Sequence, residues 1–140
     1  MSAESIAKQV VNKMKNNDPF SKWLGIECLE IESGKASLQM IVRKDMLNGF
    51  GIAHGGISYA LADSALAFAS NSLGRMSVWI ETSISHTETV KEGDVLTATT
   101  EELSLTNKFA VYQIIVKNQQ YKNVALFKGT VYRTNKEWAL

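Results

Sequence analysis

The stretch that decides the fold reads His54-Gly55-Gly56-Ile57-Ser58-Tyr59-Ala60-Leu61-Ala62-Asp63-Ser64-Ala65-Leu66-Ala67-Phe68-Ala69-Ser70-Asn71-Ser72-Leu73-Gly74. Ala and Leu dominate it, and both are strong helix formers. A glycine pair opens the run, and Gly74 is the expected C-terminal cap. At about 1.5 Å per residue the helix is roughly 28 Å long. Apolar residues surround it on nearly every side, which predicts a buried helix. It does not read as a membrane span. Asp63, Ser58, Ser64, Ser70 and Asn71 interrupt it, and no basic flank sets an orientation.

Strand signals lie on both sides of this run. Ala36, Leu38, Met40 and Val42 alternate with Lys35, Ser37 and Gln39, the pattern of a half-buried strand. Cys28 to Ile31 pairs with it through a turn at Glu32-Ser33-Gly34. Downstream, Val78, Ile80, Thr82 and Ile84 form one face of a strand. Long strands over Val95 to Ser104, Phe109 to Lys117 and Lys122 to Arg133 follow, joined by short polar turns. Short connections argue an antiparallel meander. At the N-terminus, Ile6, Val10 and Met14 recur every four residues with Lys8, Lys13 and Lys15 outside, an amphipathic helix without signal-peptide character that ends before Pro19. Residues 134–140 read as a loose tail. The expected class is α+β: a short N-terminal helix, then a long central helix wrapped by a curved antiparallel sheet, the hotdog fold.

Composition bounds the function. The 140 residues suit one domain, 1–140, with a core of its own. Lys and Arg number 15 against 14 Asp and Glu, a balance that excludes a nucleic-acid binder and a polybasic membrane-surface protein. The single cysteine, Cys28, forbids an internal disulfide framework and points to a reducing, cytoplasmic setting. With two histidines, the chain is poorly stocked for a zinc site, so no metal is expected.

Chemistry concentrates at the central helix. Asp63 is the only acidic or basic residue between Gly55 and Gly74. A carboxylate there is costly unless it is paired, hydrogen-bonded or used. It either sits on a narrow solvent stripe, bonds a neighbouring chain's backbone, or works chemically. The entry Asn48-Gly49-Phe50-Gly51-Ile52-Ala53-His54-Gly55-Gly56 offers backbone amides without side-chain obstruction at a helix N-terminus. Such amides attract an anion or a polarised carbonyl oxygen, although a plain glycine turn has the same composition. Gly55 and Asp63 lie eight residues apart, about 12 Å along one helix, too far to share one small reacting centre. Two helices packed antiparallel about a two-fold axis would bring Asp63 of one chain beside Gly55 of another. A working site therefore demands a homodimer with two equal sites.

The same residues carry a family resemblance. Met46-Leu47-Asn48-Gly49, His54-Gly55-Gly56, Leu61-Ala62-Asp63, Ala67-Phe68-Ala69, Asn71-Ser72, Gly93-Asp94-Val95-Leu96-Thr97-Ala98 and Val124-Ala125-Leu126-Phe127-Lys128-Gly129 together resemble the hotdog thioesterases of the phenylacetic acid degradation (PaaI-like) family. The similarity runs from residue 3 to residue 133. It implies hydrolysis of an acyl-CoA thioester, with aryl-acyl groups such as phenylacetyl or hydroxyphenylacetyl, and a homotetramer built as a dimer of dimers. Coenzyme A is then part of the substrate and no separate cofactor is expected. The resemblance places the catalytic carboxylate on Asp63 and the carbonyl-polarising amide on Gly55. It places the asparagine that orients water or thioester on Asn48, and the motif histidine on His54, as a carbonyl contact or a loop-holding group.

One segment departs from that pattern. Where the family carries an aromatic-Leu-Arg-Pro run, this chain reads Ser85-His86-Thr87-Glu88-Thr89, near the expected acyl-CoA groove. The departure keeps a second reading open, a non-catalytic or redirected acyl-CoA-binding protein. His86 reads as an exposed loop histidine. A hydroxyacyl dehydratase on the same fold is disfavoured, because its proline-rich helix entry is missing and Pro19 is the only proline.

Overall fold

The computed structural model describes residues 1–140. Helix α1 spans Ala3–Asn16 and starts where the Ser2 hydroxyl accepts the Ser5 N–H at 3.1 Å. It buries Ala7, Val10 and Val11. A second helix, α2 over Pro19–Leu24, was not expected. Pro19 read as a stop, yet proline is equally at home in the first turn of a helix, where its missing N–H costs nothing. Asp18 caps that turn, and Gly25 ends it in the left-handed region at φ 75°.

Strands β1 (Glu27–Glu32) and β2 (Lys35–Ile41) form the expected hairpin. After a 3-10 turn at Lys44–Met46 comes the long helix α3, Gly55–Asn71. It ends earlier than its composition suggests. Ser72 is the capping residue, and Gly74 lies two positions beyond, at φ 105° in the turn leading to β3. Strand β3 covers Arg75–His86, followed by β4 (Val95–Leu105), β5 (Phe109–Lys117) and β6 (Asn123–Glu137).

All strand pairs are antiparallel, in the order β1-β2-β4-β5-β6-β3. The sheet is therefore not a simple meander. Chain passage through α3 moves β3 to the far edge, where it pairs with β6, and β4 joins β2 instead. Helix α3 packs across β2 to β6, with Leu61, Leu66 and Phe68 meeting Leu38, Met40, Leu96, Ile114 and Phe127. Each such side chain contributes roughly 1.5–3 kcal/mol on burial. The approach is close at one point: a Cβ at Gly129 would stand 2.5 Å from Leu66 Cδ2. Only a glycine lets the helix lie so near β6 there.

Two further expectations need correction. The reading of Val78, Ile80, Thr82 and Ile84 as one face fails, because a register shift between Trp79 and Glu81 breaks the alternation. Val78, Trp79 and Ile80 are consecutively exposed on this edge strand, while Thr82 and Ile84 are half-buried. Nor is the C-terminus a loose tail. Strand β6 runs on to Glu137, and Trp138 donates through Nε1 to Asn71 Oδ1 at 3.0 Å and through its backbone N–H to Gly74 O at 2.9 Å. No helix is long and apolar enough to cross a membrane.

Candidate active site

The entrance to α3 is a folded loop with few degrees of freedom. Leu47 and Ala53 form an isolated antiparallel bridge. Between them, Asn48 Oδ1 accepts the N–H groups of Phe50 at 2.9 Å and Ile52 at 3.4 Å, and the Asn48 N–H donates to Ile52 O at 2.7 Å. Gly51 takes φ 76°, which the tight reversal requires. The carboxamide oxygen of Asn48 thus holds the loop, and its NH2 remains free for a ligand.

His54 is the N-cap of α3. Its Nδ1 accepts the Gly56 N–H at 2.9 Å, its backbone N–H donates to Met46 O at 2.9 Å, and its carbonyl accepts from Ile57 N–H at 2.9 Å. An accepting Nδ1 places the ring proton on Nε2, as the bonding pattern assigns it. These contacts hold the loop. Because His54 takes the Gly56 amide, the Gly55 N–H is left at the positive end of the helix with no acceptor. A cleft of about 380 Å³ opens there, lined by Asn48, Gly55, Ser58, His86, Glu88 and Thr89 among others.

Asp63 lies further along the same helix. It is partly buried, and its Oδ1 is enclosed without a hydrogen-bond partner. Burial pushes its carboxyl above the usual carboxylate range, since desolvation disfavours the charged form. An orphaned carboxylate oxygen within a mainly apolar helix is expensive within one chain. One turn beyond it, an apolar cleft of about 530 Å³ is lined by Leu66, Ala67, Met76, Trp79, Val131 and Trp138.

The structure therefore gathers Asn48, His54 and Gly55 and leaves Asp63 about 12 Å away along α3, eight residues on. His86 was under-read. It is exposed, but it ends β3 rather than sitting in a loop, and its ring abuts Gly55: a Cβ at Gly55 would lie 3.3 Å from His86 Nε2. The available signal was its position in the departing segment, five residues after Glu81 on a strand that ends at the helix entrance.

The fold and sequence also match those of known proteins. The thioesterase superfamily model matches residues 50–125, from the Gly51 loop into the start of β6. A putative esterase of Archaeoglobus fulgidus is 41% identical over 95% of this chain and 86% of its own length. The Escherichia coli acyl-coenzyme A thioesterase PaaI is 39% identical over 91% of each chain. Its solved structure superposes with a TM-score of 0.94 at 38% identity, covering 97% of this chain and 99% of that one. A Streptococcus mutans protein solved with bound acetyl CoA is 27% identical, with a TM-score of 0.78 over 81% of this chain and 91% of that one. With its hotdog architecture and glycine-rich helix entrance, the chain belongs to the thioesterase superfamily as a PaaI-like thioester hydrolase.

Proposed function

We propose that the protein hydrolyses (hydroxy)phenylacetyl-CoA, or a similar aryl or medium-chain acyl-CoA, to the free acid and CoA, as a cytoplasmic step of phenylacetate catabolism. The observation that carries this reading is a pair of unmet groups on α3: the Gly55 N–H without an acceptor and the enclosed Asp63 Oδ1 without a donor. In a homodimer with antiparallel α3 helices, each chain supplies what the other lacks. The thioester carbonyl oxygen bonds Gly55 N–H at the helix start. Asp63 of the second chain activates a water as general base, or attacks the carbonyl carbon to give an anhydride that water then opens. The free NH2 of Asn48 orients the water or the thioester, and His54 keeps the loop in place.

Several features support the details. The apolar cleft beyond Asp63, walled by Trp79 and Trp138, suits an aromatic or medium-length acyl group. Val78, Trp79 and Ile80 are 57%, 59% and 55% exposed on the edge strand β3, a surface a second copy would cover. Leu103, Leu105 and Phe109, exposed around the β4–β5 turn, offer a second contact for a dimer of dimers. The Escherichia coli relative is named an acyl-coenzyme A thioesterase from the phenylacetic acid degradation operon, and the Streptococcus mutans relative holds acetyl CoA.

A second reading rests on Glu88 and Thr89, which line the cleft beside Gly55 where the family pattern has arginine and proline. A carboxylate there opposes CoA phosphates, and a redirected or non-catalytic acyl-CoA binder would follow. A panel of acyl-CoAs with a free-thiol readout separates the two. Thiol release that peaks on aryl or medium-chain esters and disappears in Asp63→Asn supports the hydrolase. Binding without thiol release supports the binder.

A further inference from the structure

Oxyanion stabilisation by a helix start usually draws on more than one donor. Here the second amide of α3 is spent, because His54 Nδ1 holds the Gly56 N–H at 2.9 Å. The entrance therefore presents one free amide where two donors are wanted. His86 fills the space beside it. Outside its own helix backbone and chain neighbours, the atoms nearest the Cβ position of Gly55 are His86 Nε2 at 3.3 Å, Cε1 at 3.5 Å and Cδ2 at 3.9 Å. The imidazole makes no hydrogen bond within the chain, so its N–H is available to a ligand in the cleft it shares with Gly55 and Asn48.

The backbone that carries the ring is also held in place. His86 pairs with Ala125 on β6, Thr87 N–H donates to Val124 O at 3.0 Å, and Thr87 Oγ1 donates to Asn123 O at 2.7 Å. On the other side, Ala53 N–H donates to Val90 O at 2.8 Å. The segment from His86 to Val90 is thus clamped between β6 and the residue two places before Gly55. A donor whose backbone is fixed from both sides needs no reorganisation when charge develops.

We infer that His86 is a catalytic residue of this thioesterase, its Nε2–H acting with the Gly55 N–H as the second donor to the oxyanion. The inference rests on the hydrolase reading above. When water adds to the carbonyl carbon, Asp63 of the other chain takes the water's proton and the carbonyl electron pair moves onto oxygen. That oxygen is held by Gly55 N–H and His86 Nε2–H. The pair then returns, the C–S bond breaks with its electrons on sulfur, and the thiolate takes up the proton that Asp63 received. His86 lends a hydrogen bond and ends with the protons it began with.

The test compares His86→Phe, which fills the space without a donor, with His86→Gln, which restores an N–H. Both are assayed on the best ester of the acyl-CoA panel, with thermal melting to confirm that each is folded. His86→Phe is expected to lower kcat by about 10²-fold, in the range for loss of one oxyanion donor, with KM changing less than about threefold. His86→Gln is expected to recover at least a tenth of the wild-type kcat. Unchanged kcat in His86→Phe, or equal losses in both variants, overturns the assignment and leaves the hydrolase reading standing. A wild-type protein that releases no thiol from any ester overturns the hydrolase reading, and this inference with it.

Discussion

Gly55 and Asp63 sit eight residues apart on α3, each with a bonding group that its own chain leaves unmet. Eight residues of α-helix rise about 12 Å, more than an aspartate side chain can span. This relationship predicts complementation between two dead variants. Gly55→Val fills the cleft, since even a Cβ would press on His86 at 3.3 Å. Asp63→Ala removes the carboxylate. Each homodimer is expected to lose nearly all thiol release. When the two are co-expressed, half the dimers are mixed, and each mixed dimer rebuilds one intact site of two. About a quarter of wild-type activity returns. Thiol release that stays at the level of the single variants would show that the two groups are not shared between chains.

The raised pKa of Asp63 sets the pH dependence. Desolvation is the cause, so the carboxyl titrates above its ordinary value of 3.8. General-base action needs the ionised form, and kcat/KM is expected to fall as pH drops through a point higher than 3.8. Stability runs the other way. The folded state holds this proton more tightly than the unfolded chain does. The stabilising contribution is therefore complete below the unfolded pKa and is lost as pH rises through the folded one. Asp63→Asn should lower kcat by about 10²–10⁴ and melt higher than wild type near pH 7. The gap in melting temperature should close below about pH 4. Kinetic pH profiles and melts across pH 3.5–8 check both signs.

Sequence pattern reached the architecture because the strongest signals are periodic ones. The four-residue recurrence of Ile6, Val10 and Met14 and the alternation in Lys35–Ile41 both survive in the structure. Where the reading failed, the cause was local in one case and tertiary in the others. Helix α2 begins on Pro19, a residue that stops one helix and starts the next with equal ease. The broken face of β3 follows from a register shift that no alternation rule signals. The ordered tail depends on the length of β6 and on two bonds from Trp138, to Gly74 and to Asn71, the latter 67 positions away in sequence. The grouping of Asn48, His54 and Gly55 at the helix entrance was legible because their loop is local. His86 was not, because its closeness to Gly55 depends on β3 pairing with β6.

His54 offers a way to separate holding from chemistry. Its Nδ1 caps α3 and its ring holds the Gly56 amide. His54→Ala is expected to cost about 1 kcal/mol, typical of a lost N-cap. For a chain of this size that is a fall of roughly 3–5 °C in melting temperature. Freed of its acceptor, the Gly56 N–H turns toward the cleft, so kcat should drop far less than in Asp63→Asn, by about tenfold or less. A loss as deep as that of Asp63→Asn, with an unchanged melting temperature, would make His54 a reacting group instead.

Trp138 joins the end of β6 to the end of α3 and also walls the apolar cleft beyond Asp63. Asn71 is the hub of this junction. Its Nδ2 donates to Ala67 O at 2.9 Å and Ser77 O at 3.1 Å, while its Oδ1 accepts from Ser77 N–H at 2.9 Å and from Trp138. Trp138→Ala removes one bond of that set and most of one wall. The hub keeps its other three bonds, so the stability loss is expected to be about 1–2 kcal/mol rather than unfolding. The larger effect should fall on substrate choice. With the wall gone, the cleft opens toward α1, where Met14 also lines it. Longer acyl chains should then gain kcat/KM relative to phenylacetyl by about tenfold, the worth of one or two methylenes in an apolar pocket. An acyl-chain-length profile on the two proteins reads this directly. A preference that does not move would assign the cleft to subunit packing instead of the acyl group.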